Sequence, residues 1–233
     1  MAGHGASAPT LGNAPTTRTR PVVAASEPMQ KTLAGWLLDL ESPNAEVVQA
    51  ARKALADLGP DAAPAIPQLA QMLKEGRNCN SAAYTLANIG TNALPVLIDA
   101  LTNGNPKARL DVAGAIGTPR FGEAGEAAVP ALVECLRDED PYVRKNAIAA
   151  LQAIPKRPDL AVPALIAALA DPDASINDNA DITLRKYAKV EADATIPMLV
   201  EAAQQSQNPV SVRFRAAEIV RAIAPERAKA EGL

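Results

Sequence analysis

The feature that most constrains this chain is a short pattern that keeps returning. Residues 127–154 show it best. Pro130 suits the first turn of a helix, where its missing N–H has no helical partner and its φ is already helical. Val129, Leu132, Val133 and Leu136 then fall at i, i+3, i+4 and i+7, one apolar face. Asp138 to Asp140 break the pattern, and Asp140-Pro141 supplies an N-cap followed by a proline at the first helical position. Val143, Ala147, Ala150, Leu151 and Ile154 form a second stripe, which Pro155 stops. Each helix is about three turns long, too short to be stable alone in water, so the hairpin has to bury its apolar sides against something like itself.

Copies are present along most of the chain. Aliphatic-Pro-x-Leu recurs as Ile66-Pro67-Gln68-Leu69, Leu94-Pro95-Val96-Leu97, Val129-Pro130-Ala131-Leu132, Val162-Pro163-Ala164-Leu165 and Ile196-Pro197-Met198-Leu199. Leu33-Ala34-Gly35-Trp36-Leu37 is an earlier copy without the proline. Counted on the proline position (34, 67, 95, 130, 163, 197), the steps are 33, 28, 35, 33 and 34 residues. Second-helix stripes follow in step over 47–58, 81–89, 107–116, 143–154, 176–187 and 212–223. Helical hairpins at this period predict an all-α fold, an α-solenoid of about six stacked hairpins. The expected organisation is an extension at 1–28, a repeat solenoid at 29–224 and a fraying tail at 225–233.

The motif Val143-Arg144-x-x-Ala147-x-x-Ala150-Leu151-x-x-Ile154, preceded by Asp138-x-Asp140-Pro141, resembles the HEAT-repeat family. The proline-headed units look most like its short bacterial and plastid type, the phycobilisome-lyase HEAT-like repeats. The resemblance implies a right-handed superhelix whose concave side is lined by the second helices. It also implies an inter-unit ladder in which a turn carboxylate of one unit meets a helix arginine of its neighbour, so Arg109, Arg144 and Arg213 read first as structural. The family's functions are diverse, and fold alone does not choose among them.

Composition narrows the functions. With 23 basic and 26 acidic residues the net charge is −3, which argues against a phosphate-backbone binder and its basic stripe. Aromatic residues are only 3%, so the core is aliphatic and Ala-rich, and an aromatic nucleic-acid groove is lacking. Cys79 and Cys135 lie in different units, which speaks against a disulfide or a metal pair. The single histidine is His4, ahead of the repeats, so Ser-His-Asp and Cys-His catalysis have no base within the fold. No phosphate-binding glycine motif occurs. The reading is not an enzyme, with no cofactor and no metal.

Residues 1–28 contain no periodicity and no acidic residue before Glu27, and read as disordered. A run apolar enough to enter a membrane is lacking. The expected location is cytoplasmic. The alternative is that this Ser/Thr/Ala-rich, Arg-bearing leader, which also resembles an organellar transit peptide, carries the chain to a stroma or matrix, with an exit at 22–26.

Unit two departs from the template, since residues 74–80 replace the Asp-Pro turn. Its second helix carries Tyr84 and Asn88 at i, i+4, on one helix face. This pair resembles the armadillo-repeat pattern in which Asn holds the backbone of an extended peptide and an aromatic walls a side-chain pocket. The equivalents assigned by spacing are Lys53 and Asp57, Ala149 and Ala153, Glu218 and Ala222, so no repeated peptide ladder is expected. The long loop 118–126 offers Phe121 either as a binding element or as a residue folded back on the core. Trp36 is expected to seal the first unit. The run 176–181 replaces the ladder arginine by Asn177 and lacks the glycine and distal Glu of a calcium loop.

The function expected from these features is a non-enzymatic protein–protein interaction scaffold or adaptor. A partner protein would lie on the concave face against Tyr84, Asn88, Arg109, Lys145, Asn146, Asn179 and Arg215. The alternative that the resemblance implies is a bilin-lyase-like subunit or a chaperone for a pigment–protein complex.

Overall fold

The computed structural model describes residues 31–233, and the extension expected at 1–28 lies outside them. Six helical hairpins follow one another. They are α1 (Leu33–Asp39) with α2 (Ala45–Leu58), α3 (Ile66–Lys74) with α4 (Cys79–Ile89), and α5 (Leu94–Asn103) with α6 (Pro106–Ile116). Then come α7 (Val129–Cys135) with α8 (Pro141–Ala153), α9 (Pro158–Ala168) with α10 (Ala174–Val190), and α11 (Ala192–Gln204) with α12 (Val210–Ile223). A short α13 (Pro225–Ala230) closes the described chain, and no strand occurs among these residues.

The hairpins stack in two layers. First helices α3, α5, α7, α9 and α11 pack in series, and second helices α2 through α12 pack in parallel with them. The apolar residues between the layers form one continuous cluster from Leu37 to Ala228. This is the α-solenoid expected from the repeat period, and the aliphatic composition explains its closeness: Ala51, Ala147, Ala180 and Ala216 are each fully buried at matching register.

Capping sets that register. The side chains of Asn44, Asn105, Asp140 and Asp173 each accept a backbone N–H in the first turn of α2, α6, α8 and α10. Proline behaves in two ways. In α3, α5 and α7 it sits at the start of the helix, after a 3-10 turn in each case. Pro163 and Pro197 instead lie inside α9 and α11, which begin earlier than the sequence pattern suggests. The carbonyls they leave unbonded, four residues back, belong to the exposed Asp159 and Asp193, where water can take the missing N–H's place.

Two local expectations are resolved by packing. Phe121 is 3% exposed and folds back onto the core, so loop 118–126 does not present it to a partner. Residues 225–233, expected to fray, form α13 against α12, with Ala228 buried and Gly232 at φ +68 closing the helix end. Trp36 is half-buried against the cluster.

Candidate partner-binding face and the ladder behind it

Counting from each N-cap aligns the second helices better than spacing does. Asn105, Asp140, Asp173 and Pro209 cap α6, α8, α10 and α12, and the fourth residue after each is Arg109, Arg144, Asn177 and Arg213. Arg109 Nε donates to Asp138 Oδ2 at 2.6 Å, in the turn of the following hairpin, and its Nη1 to the Gly104 carbonyl at 2.9 Å. Arg144 grips Asp171 through two bonds, Nε to Oδ2 at 2.8 Å and Nη2 to Oδ1 at 3.0 Å. These are charge-assisted bonds in a fork geometry with both partners largely out of water. Burial pushes the Asp138 carboxyl up, but the Arg109 bond, the Asp140 N–H and the two guanidinium charges outweigh it and hold the group below its usual range. The ladder exists as the family resemblance implied, and it claims Arg109. Its guanidinium is thereby engaged with the turn of the following hairpin rather than offered on the concave face where a partner was expected to meet it.

The sixth residue after each cap makes a row. It reads Tyr84 on α4 (cap Asn78), Asp111 on α6, Asn146 on α8, Asn179 on α10 and Arg215 on α12. The spacing-based partners of Tyr84 are therefore one helical turn out: its counterpart on α8 is Asn146, not Ala149, and on α12 it is Arg215, not Glu218. Every member is half-buried. Around Gly114 the row is tight, because a Cβ there would lie 3.2 Å from Tyr84 Oη and 3.3 Å from Asn146 Nδ2. Arg52 of α2 stands over the Tyr84 ring, 5.7 Å from its centre. Asn146 Nδ2 donates to the Leu110 carbonyl at 3.0 Å, and Arg215 pairs with Asp178 at 3.0 Å. Asn80 donates to Asp111 at 3.2 Å.

So Tyr84, Asn146, Asn179 and Arg215 share one face in register, and the structure brings the first two together over Gly114. Lys145 is exposed beside Asn146. Asn88 is half-buried, at the tenth position after the cap, which Ala115, Ala150 and Ile219 bury in other units. It belongs to the edge of the packing more than to the row. Gly114, Arg52 and Asp111 were not singled out from sequence. Counting from the caps would have found Asp111, whereas nothing but the fold places Gly114 beneath Tyr84.

Other titratable groups serve packing. Tyr187 is fully buried and donates to the Lys156 carbonyl at 3.0 Å, and burial pushes its phenol up. Burial likewise raises Cys79, and it raises Cys135 to about 11, so neither is a thiolate at neutral pH. Among the described residues there is no group of His, Cys, Asp and Glu that could hold a metal, and no helix long and apolar enough to cross a membrane.

Comparison with known proteins bears on the repeats. The HEAT-repeat family model matches residues 94–185, and the PBS lyase HEAT-like repeat model matches 80–103. A chain from the structure of the complex of CpcE and CpcF of phycocyanin lyase from Nostoc sp. PCC7120 superposes with a TM-score of 0.55 at 25% identity, over 65% of this chain and 96% of that one. An engineered protein superposes with a TM-score of 0.50 at 21% identity, over 85% of this chain and 97% of its own, a likeness of fold alone. No curated protein matches the sequence.

Proposed function

This chain belongs to the HEAT-repeat family, and from that premise we propose that it is a non-enzymatic adaptor that holds a partner protein along its second-helix face. The observation that carries the reading is the half-buried row Tyr84, Asp111, Asn146, Asn179 and Arg215, one residue from each of the second to sixth units at one register. A partner segment crossing the stack meets these side chains in turn, with Lys145 reaching it from beside the row. Over Gly114 the missing Cβ lets Tyr84 and Asn146 approach the helix closely. Because stacking already fixes the row, binding orders little on this side, and modest polar contacts suffice. The lone histidine outside the described residues and the raised cysteines fit a binding role better than acid–base or nucleophilic chemistry.

The test is Tyr84→Ala combined with Lys145→Ala, compared with Asn88→Ala, in affinity capture followed by mass spectrometry. The double variant loses captured partner while its helical circular dichroism and melting stay those of the parent. Asn88→Ala affects melting and leaves capture alone. Unaltered capture by the double variant rejects the face.

The likeness to the phycocyanin lyase complex favours a second reading, a bilin-lyase-like subunit. In that role the chain develops visible absorbance when mixed with a linear tetrapyrrole, and a flat spectrum counts against it.

A further inference from the structure

The two helix layers differ in charge. First helices α1, α3, α5, α7, α9 and α11 carry Asp39, Asp99, Glu134, Asp159, Asp193 and Glu201 against one cation, Lys74. Second helices α2 to α12 carry twelve cations and six carboxylates. Five of those cations are ion-paired within the molecule: Arg109 and Arg144 in the ladder, and Arg185, Arg215 and Arg221 with Asp181, Asp178 and Glu218. The middle of the second layer is different. Lys107 on α6, Lys145 on α8 and Lys189 on α10 are exposed and pair with no carboxylate among the described residues. Lys186 is exposed too, and its Nζ donates to the Gln152 carbonyl. On these three helices Asp111 is the single carboxylate outside an ion pair, and it is half-buried beside Asn80. The first helices of the same hairpins, α5, α7 and α9, hold Asp99, Glu134 and Asp159 and no Lys or Arg. Apolar groups stand among the lysines. Lys107 and Tyr142 are second after their caps, Lys145 and Phe214 fifth, and Lys189 lies two turns beyond Ile182, so they share the outward side. Tyr142, Ile182 and Phe214 are all exposed there.

We propose, resting on the adaptor reading above, that the segment held on this face is an acidic polypeptide with apolar residues among its carboxylates. The carboxylates meet Lys107, Lys145, Lys186 and Lys189, and the apolar side chains cover Tyr142, Ile182 and Phe214. Each exposed lysine is a solvated, salt-screened charge worth little alone, so their number and their shared side give the selectivity. A nucleic acid is a poorer occupant, because the unpaired cations come one or two to a helix and the apolar groups between them have nothing to meet on a phosphate backbone. The chain's own residues 1–30 hold Arg18 and Arg20 against Glu27 and do not supply the negative charge. A second copy offers its acidic first-helix layer only in a head-to-tail contact, which polymerises unless it closes into a ring.

The test is selection of randomised linear peptides displayed on phage against the immobilised full-length chain at low salt, with the winners titrated by fluorescence anisotropy. Binders are expected to be rich in Asp and Glu with Leu or Phe between them. Their affinity falls about tenfold or more against Lys145→Glu combined with Lys189→Glu, and falls as salt is raised. It is unchanged by Lys74→Glu, a charge reversal on the other layer. Circular dichroism melts of these variants match the parent, since the replaced side chains are exposed. Binders that are lost with Tyr84→Ala and Lys145→Ala yet show no excess of acidic residues overturn the acidic partner and leave the adaptor reading standing. Binders indifferent to every one of these changes, or no binders at all, reject both. A single-stranded oligonucleotide or phosphatidylserine vesicles held as tightly as the best peptide, or salt-reversible polymerisation of the parent in sedimentation, overturn the proposal by naming another occupant.

Discussion

Between α8 and α10 the guanidinium of Arg144 is gripped by both oxygens of Asp171. Between α10 and α12 the same register holds Asn177, and the turn ahead of α12 carries Gln207 where the turn ahead of α10 carries Asp171. Both members of the pair change together, so neither an unpaired arginine nor an unpaired aspartate is left in the joint. What remains is milder: Asn177 Oδ1 is buried without a partner, and Asn208 braces the turn through the Ala202 carbonyl. At α12 the arginine returns without its carboxylate. The two regions show that an arginine at this register is structural only where the next turn answers it.

The largest expected effect breaks the closed joint. Arg144→Ala leaves Asp171 buried and unpaired, which costs about 3 kcal/mol in a urea titration, whereas Arg213→Ala stays within about 0.5 kcal/mol. Equal losses would erase the distinction between the two ends. Next is the row: Gly114→Val drives a branched side chain into Tyr84 and Asn146 and costs about 2 kcal/mol, read from the urea midpoint. At the same register α10 carries Ile182, 53% exposed, and α12 carries Glu218, half-buried, so the crowding belongs to the joint at Gly114 itself.

A smaller effect is pH-dependent. The Asp138 pKa is held below its usual range in the folded state, so its stabilisation is present above the unfolded carboxyl value, about 3.9, and is lost as pH falls through the folded value. Arg109→Gln therefore destabilises the chain by about 1 kcal/mol near neutrality, and the gap to the parent closes in acid. A gap that widens in acid contradicts this sign. The smallest effect is a gain. Asn177→Arg with Gln207→Asp extends the ladder and adds about 0.5–1 kcal/mol of coupling in a double-mutant cycle, with each single change neutral or unfavourable.

Much of this was legible in the chain. The aliphatic-Pro-x-Leu copies and Asp-Pro turns dictated hairpins too short to stand alone, and six of them had to stack. Arg144 with Asp138 and Asp140 announced a ladder. The register of the face was harder to read. Tyr84 paired with Ala149 by simple spacing, because unit two has no Asp-Pro turn from which to count and hairpin lengths vary from 28 to 35 residues. A slip of three residues on a helix keeps the same side but changes the neighbour, and periodicity does not register it.

Sequence by itself determined that helices form, where most begin, and that their apolar stripes need one another, since these follow from local capping and 3.6-residue spacing. Tertiary structure alone decided which arginines are answered, which glycine lies under Tyr84, and that Phe121 turns inward while Phe214 turns out. Those outcomes depend on atoms from hairpins about thirty residues apart meeting within 3–4 Å, a closeness that stacking creates and no local pattern encodes.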